Sequence, residues 1–227
     1  MKTFLKDEWP WLLPLFLMAL ITPFSLMIDL KFTHFFYDST QSFPSTPFYT
    51  FLYNYGIVPG QIVFGFSAVV LFLASFFKRW SRWYSASLIM VLTLAIGSGL
   101  ITHILLKDHW GRPRPKQVIE FGGTQQFRPY YQPNFFDQPE TSKGFPCGHC
   151  TMGFYFFALA LIARRNHNRT LFWGALIFAL LLGTLLSWTR IAQGGHFLTD
   201  TLASALIMWL TAYACVRLIG TDGEAVR

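Results

Sequence analysis

The chain has 227 residues, of which 53% are hydrophobic, 19% aromatic and only 13% charged. Soluble domains carry about a quarter charged residues, so this composition excludes a soluble globular domain and reads as an integral membrane protein. The net charge of +7 does not make a nucleic-acid binder, because the basic residues gather at the ends of apolar segments rather than along one soluble face. Three cysteines offer no disulfide framework.

Met1 to Glu8 is a short polar head containing Lys2 and Lys6. The apolar run that follows lacks a small-residue cleavage site, so Trp9 to Leu30 is expected to be a retained first span. Its prolines at 10, 14 and 23 are tolerable where neighbours satisfy the freed backbone groups. Asp29 to Pro59 reads as a loop whose aromatic residues suit a membrane–water interface. Within it, Thr46 to Tyr55 fits a short amphipathic helix or an irregular loop equally well. Gly60 to Phe77 and Ala86 to Leu106 are the second and third spans, joined by the basic turn Lys78 to Arg82. The third span carries His103, an intramembrane ionisable group read as a packed residue near a site.

Lys107 to Phe145 is the longest polar segment and is expected to form an ordered extramembrane cap, because it is rich in both proline and aromatic residues. Gly148 to Ala163, Leu171 to Trp188 and Phe197 to Leu218 complete six spans, with a second basic turn at Arg164 to Arg169. Each is near the ~20 residues needed to cross a hydrocarbon core. The fold expected is all-α, a polytopic six-helix membrane protein with a loop cap, forming one domain over residues 1–227. The positive-inside rule puts the two basic turns and both termini in the cytoplasm, and the cap on the other face.

Three stretches carry chemistry. Thr189 to Asp200 contains Arg190, Gly194, Gly195, His196 and Asp200. If Phe197 onward is helical, His196 and Asp200 share one face, and an acid beside an imidazole fixes its tautomer and sharpens its other nitrogen. The same residues also read as a capped helix start. Lys107 to Pro115 places Lys107, Arg112 and Arg114 within eight residues, stiffened by two prolines and loosened by Gly111, which fits an anion cradle or a snorkelling collar. Phe145 to Cys150 opens the fourth span, where helix N-terminal N–H groups attract anions, Gly148 permits close approach and His149 can exchange a proton. All three stretches fall at span ends on one predicted face. Together they supply what phosphoryl transfer needs: a nucleophile, an acid for the leaving oxygen and positive charge around the phosphoryl oxygens.

The spacing of Lys107, six residues, Arg114-Pro115; Pro146, one residue, Gly148-His149; and Arg190, five residues, His196, three residues, Asp200 resembles the signature of the type 2 phosphatidic acid phosphatase superfamily. Within it, Lys107 to Pro115 and Gln193 to Phe197 look most like bacterial lipid A phosphatases of the 4′ type. The resemblance implies that His196 attacks phosphorus, Asp200 orients it, and His149 protonates the leaving alkoxide and later activates water. It also implies that Lys107, Arg114, Arg190, the Gly148 N–H and Cys147 hold the phosphoryl oxygens. Cys147 stands where the family usually has serine, and a thiol donates more weakly than a hydroxyl; Thr189 also replaces serine but keeps a hydroxyl. Arg112 and Lys116 are expected to meet a head group, whereas Arg128 reads as a solvated loop charge. No metal or other cofactor is expected, and the partners are a phospholipid or lipid A and the bilayer of a bacterial inner membrane, with the site on its periplasmic face.

Alternatives stand beside this reading. Phosphatidylglycerophosphate and undecaprenyl diphosphate also fit as substrates, and so does phosphate transfer to a second lipid. A C-x-x-C redox site at Cys147 to Cys150 lacks the strands of a thioredoxin-like fold, although the two thiols are spaced to pair on an oxidising face. A non-enzymatic lipid-binding role leaves a paired His and Asp without purpose.

Overall fold

The computed structural model describes residues 2–40, 42–136 and 142–219, with side chains described from residue 12 onward. Lys2, Lys6 and the C-terminal residues 220–227, used above to orient the chain, therefore lie outside the described side chains. No β-strand occurs among the described residues, and the architecture is all-helical.

The first span is two helices, α1 (Lys2–Ile21) and α2 (Ser25–His34), separated by a 3₁₀ turn at Thr22–Phe24. Pro23 causes the break, since it has no N–H for the helical ladder. The Thr22 hydroxyl donates to the Met18 carbonyl at 2.8 Å, satisfying an acceptor in the interrupted ladder. The span also runs further than expected, to His34, so that Asp29 is helical and buried rather than the first residue of a loop.

The aromatic loop does contain a helix, α3 (Pro47–Tyr55). Thr46 caps it by accepting from the Tyr49 N–H, and Pro47 occupies the first helical position, where its missing N–H costs nothing. The second span is α4 (Val58–Phe76). The third is α5 (Tyr84–Leu92), which widens into a π-helix over Thr93–Lys107.

The fourth crossing is short and broken, α6 (Gly148–Phe154) followed by α7 (Phe157–Arg165), which explains why five rather than six helices are individually long and apolar enough to cross a membrane. The last two are α8 (Arg169–Ala192) and α9 (Leu198–Ile219). Both α6 and α7 lie against α8 and α9. At Gly153 the α6 backbone comes so close to Gly183 that an added Cβ would sit 2.5 Å from its nitrogen, the small-residue contact common between membrane helices. Nearly every side chain from Cys150 to Ala163 is buried, so α6 and α7 form the centre of the bundle. The outer helices instead present Phe16, Leu20, Ile62, Phe66, Phe72 and Leu181 outward, as lipid contact requires.

Among its described residues, the cap between Lys107 and Gly148 holds two short 3₁₀ turns, Pro115–Gln117 and Ile119–Phe121, and packs through its aromatic rings. Trp110 packs on Phe145, which also stacks with Tyr130. Phe121 packs against Tyr37 and Phe43, and Phe127 against Phe197. These contacts hold the three signature stretches at one end of the bundle.

Candidate active site

His196 sits in the turn between α8 and α9, 1% exposed. Its Nδ1 is 2.6 Å from the Gly144 carbonyl oxygen. A carbonyl only accepts, so Nδ1 carries the proton and Nε2 presents a lone pair. Burial first, and then the Arg190 and Lys107 charges, hold this imidazole well below its usual range, which keeps it neutral. Gly144 can reach this position because it has no side chain: a Cβ there would lie 2.7 Å from the Arg112 and Pro113 carbonyl oxygens. Its N–H donates to the Arg112 carbonyl at 2.8 Å, so the same residue ties the first signature stretch to the third.

Asp200 lies at the start of α9, with Oδ2 3.8 Å from His196 Nδ1. That is a charge contact rather than a hydrogen bond. The group that orients the ring by hydrogen bonding is thus Gly144, and Asp200 supplies negative charge beside it. Asp200 Oδ2 accepts the Phe197 N–H at 2.7 Å, which closes the α9 N-terminus, and Oδ1 accepts from Arg112 Nη1.

Arg112 is not where a head-group contact would be. Its side chain is 0% exposed and its guanidinium also bonds Asp29, the Thr199 hydroxyl and the Arg128 carbonyl. The rings of Phe127 and Phe197 flank it at 5.5 and 4.7 Å. Its guanidinium is taken up by these partners, so for Arg112, though not for Lys107 or Arg114, the collar and cradle readings give way to a buried ionic junction.

His149 is the second residue of α6. Its ring stacks on Tyr53 of α3 at 4.4 Å, and the Arg190 guanidinium lies over the same Tyr53 ring at 4.7 Å. Gly148 brings the α6 N-terminus against the third span, since a Cβ there would lie 2.6 Å from His103 Nε2 and 3.3 Å from Lys107 Nζ. His103 therefore is beside the site, with Nδ1 held by the Ser98 carbonyl at 2.7 Å. Arg190, in the last turn of α8, bonds Gln193 Oε1 at 2.8 Å through Nη1, while its buried Nε has no hydrogen-bond partner among the described residues. Lys107 and Arg114 lie close enough to act electrostatically on His196. None of Lys107, Arg114 and Arg190 forms an ion pair with a carboxylate among the described residues.

Cys147 departs from the expected phosphate contact. Its sulfur is bonded to Cys150, so the chain does contain one disulfide, and Cys215 is buried and free. A disulfide sulfur has no proton to donate, and Cys147 Sγ instead accepts the Cys150 N–H at 3.3 Å as the α6 N-cap. Lys116 is exposed and anchored through its backbone N–H to the Gly194 carbonyl. It lines an open cavity of about 250 Å³ together with Phe43, Ser45, Tyr53, Arg190 and Gln193.

The structure thus brings His149, Gly148, Lys107, Arg114, Arg190, His196 and Asp200 to one end of the bundle, with Lys116 at the rim. Asp29, Tyr53 and Gly144 were missed by sequence reasoning. For Asp29 a signal existed, an acid beside an apolar run. Tyr53 and Gly144 follow no spacing rule.

The profile of the PAP2 superfamily matches residues 86–224. The chain belongs to that superfamily. The chain is 32% identical over 161 residues, 70% of its own length and 70% of the relative's, to a protein of Francisella tularensis subsp. novicida named lipid A 4′-phosphatase. Proteins of the same name from Rhizobium leguminosarum and Rhizobium etli are each 28% identical, covering 53% and 47% of this chain and 47% and 39% of theirs. No solved structure matches the chain significantly. With five long apolar helices and bacterial relatives, this PAP2 protein is a bacterial membrane protein.

Proposed function

We propose that the protein hydrolyses a phosphate monoester on the head group of lipid A, through a phosphohistidine on His196. The observation that carries this reading is a buried imidazole whose Nδ1 is held by the Gly144 carbonyl, beside three cations that have no carboxylate partner among the described residues. In the first half-reaction His196 Nε2 bonds to phosphorus and the P–O bond to the sugar breaks. The departing oxygen keeps the electron pair and takes the His149 proton. In the second, His149 removes a proton from water, which attacks phosphorus and releases His196 with inorganic phosphate. Lys107, Arg114, Arg190 and the Gly148 N–H balance charge on the phosphoryl oxygens throughout. The chemistry requires no metal, because these side chains supply the positive charge.

The cavity beside Arg190 supports a bulky, polar head group. Lys116 is placed to meet a sugar hydroxyl or a further phosphate there, and Tyr53 offers a ring face. The basic turns Lys78–Arg82 and Arg164–Arg169 support a cytoplasmic location for that end of the bundle and a periplasmic location for the site.

The test is phosphate release by purified protein in detergent with chelator present, over lipid A, phosphatidylglycerophosphate, phosphatidic acid and undecaprenyl diphosphate, beside His196→Ala. Fastest release from lipid A that survives chelator and vanishes in His196→Ala is expected. Preference for another lipid on the panel, or release that stops with chelator, would overturn the reading at that point. Phosphate appearing on an added acceptor lipid instead of in solution would make the protein a transferase.

A further inference from the structure

We infer that Asp29, which lies before the residues matched by the PAP2 profile, is a positioning residue for phosphoryl transfer, acting through Arg112 and Thr199 on Asp200 beside His196. The inference rests on His196 as the nucleophile. Asp29 is fully buried in α2 and never faces the substrate cavity. Its Oδ1 accepts the Thr199 N–H at 2.9 Å. Its Oδ2 accepts the Thr199 hydroxyl at 2.6 Å and Arg112 Nη2 at 2.7 Å. Arg112 passes the connection on to Asp200 Oδ1 through Nη1.

The charge count shows why a second acid matters. Arg112 with Asp200 alone would be a neutral pair. With Asp29 the buried junction holds two carboxyl groups around one guanidinium, and the N–H and O–H partners of both acids donate to them, an arrangement suited to two ionised acids and so to a net negative charge next to the His196 ring. When Nε2 bonds to phosphorus while Nδ1 keeps its proton, the ring becomes positive. A negative junction at its Nδ1 side stabilises that species more than the neutral starting ring, and such a difference accelerates the step. From the other side His196 faces Arg190, Lys107 and Arg114, so Asp200 and Asp29 are what offset those cations. Burying an extra carboxylate in a membrane protein is costly unless it is paired, and one Arg–Asp pair would already have satisfied Arg112 in part. Thr199 adds geometry: Asp29 grips both its backbone and its hydroxyl, one residue before Asp200.

The test is Asp29→Asn, which keeps the shape and one of the two acceptor oxygens and removes the charge, assayed on lipid A in detergent beside wild type. The expected result is a kcat lower by about tenfold to a hundredfold with KM within about threefold, since Asp29 touches no substrate. The acid limb of the pH–rate profile should move to lower pH, because losing a negative charge makes the imidazole harder to protonate. Substrate ionisation is common to both proteins and cancels. Asp29→Asn combined with Asp200→Asn should be no slower than Asp200→Asn alone, the non-additivity of residues acting in series. Wild-type kcat in Asp29→Asn, an unmoved acid limb, or additive losses would each overturn the inference. If Asp29→Asn does not accumulate, Thr199→Val removes one hydrogen bond from Asp29 and is read in the same way; normal kcat there, or failure of both variants to fold, assigns Asp29 a purely architectural role and overturns it. Wild-type protein that releases no phosphate from any lipid breaks the phosphatase reading itself, and the inference falls with it.

Discussion

Arg112 and Arg190 sit in one site and differ in their partners. Arg112 is sealed in the bundle, with its guanidinium bonded to Asp29, Asp200, Thr199 and Arg128. Arg190 is half-buried, holds Gln193 and the Tyr53 ring, and keeps an Nε with no hydrogen-bond partner among the described residues. An arginine whose charge is already matched builds structure, whereas one facing other cations without an acid is disposed to bind an anion. The same residue type thus does opposite things in one site, and only the partners distinguish them.

The comparison breaks most readily by truncation. Arg112→Ala leaves two carboxylates buried without a counter-charge and is expected to cost about 3–5 kcal/mol of stability, measured as loss of folded protein in a detergent melting series. Arg190→Ala should fold as wild type and lose about 10²- to 10³-fold in kcat, the usual cost of removing one charge-stabilising donor. Equal melting curves for the two variants would dissolve the distinction.

The cations around Arg190 make a second prediction. The His196 pKa is depressed below the ~6.5 of a free imidazole, so the ring stays neutral as the pH falls through that value and is protonated only lower down. Activity is therefore expected to persist through mildly acidic pH, with the acid limb of kcat/KM below about 6.5. In Arg190→Ala the limb should rise, because a repelling charge is gone. A limb at or above 6.5 in wild type would show that the cations do not press on the nucleophile.

Smaller effects sharpen the picture at the rim. Lys116→Ala is expected to raise KM for lipid A by about threefold to tenfold while leaving phosphatidic acid unchanged, as loss of one exposed charge contact would. Cys147→Ser with Cys150→Ser should retain activity within about threefold, since a serine hydroxyl caps the α6 N-terminus as well as the sulfur does. A loss beyond a hundredfold there would show that the bond holds Gly148 and His149 in place.

Much of this was legible in the sequence because the reacting groups lie within short stretches. Lys107 and Arg114, Gly148 and His149, and Arg190, His196 and Asp200 stand at fixed spacings, and apolar periodicity puts each stretch at a helix end. Bundle topology also followed from segment lengths, the fourth crossing included, although its break between Phe154 and Phe157 carried no signal of residue type. What could not be read is pairing across the chain. Arg112 looked like its neighbours Lys107 and Arg114, because nothing local says that Asp29, 83 residues away, reaches it. Cys147 and Cys150 were within reach of each other on spacing, yet composition gave no reason to expect a bond in a chain with only one other cysteine. Gly144 orients His196 through its backbone, and backbone contacts leave no mark on residue type except the absence of a side chain.

The helix α8 has a further consequence for how the protein can be used by a cell. Its 24 residues rise about 36 Å from the basic turn at Arg169 to the turn beyond Arg190. A rigid rod of that length holds Arg190 at one surface and places the opposite leaflet a full bilayer away. The reacting groups are therefore confined to one end of the bundle, and a head group held at the other end lies beyond their reach.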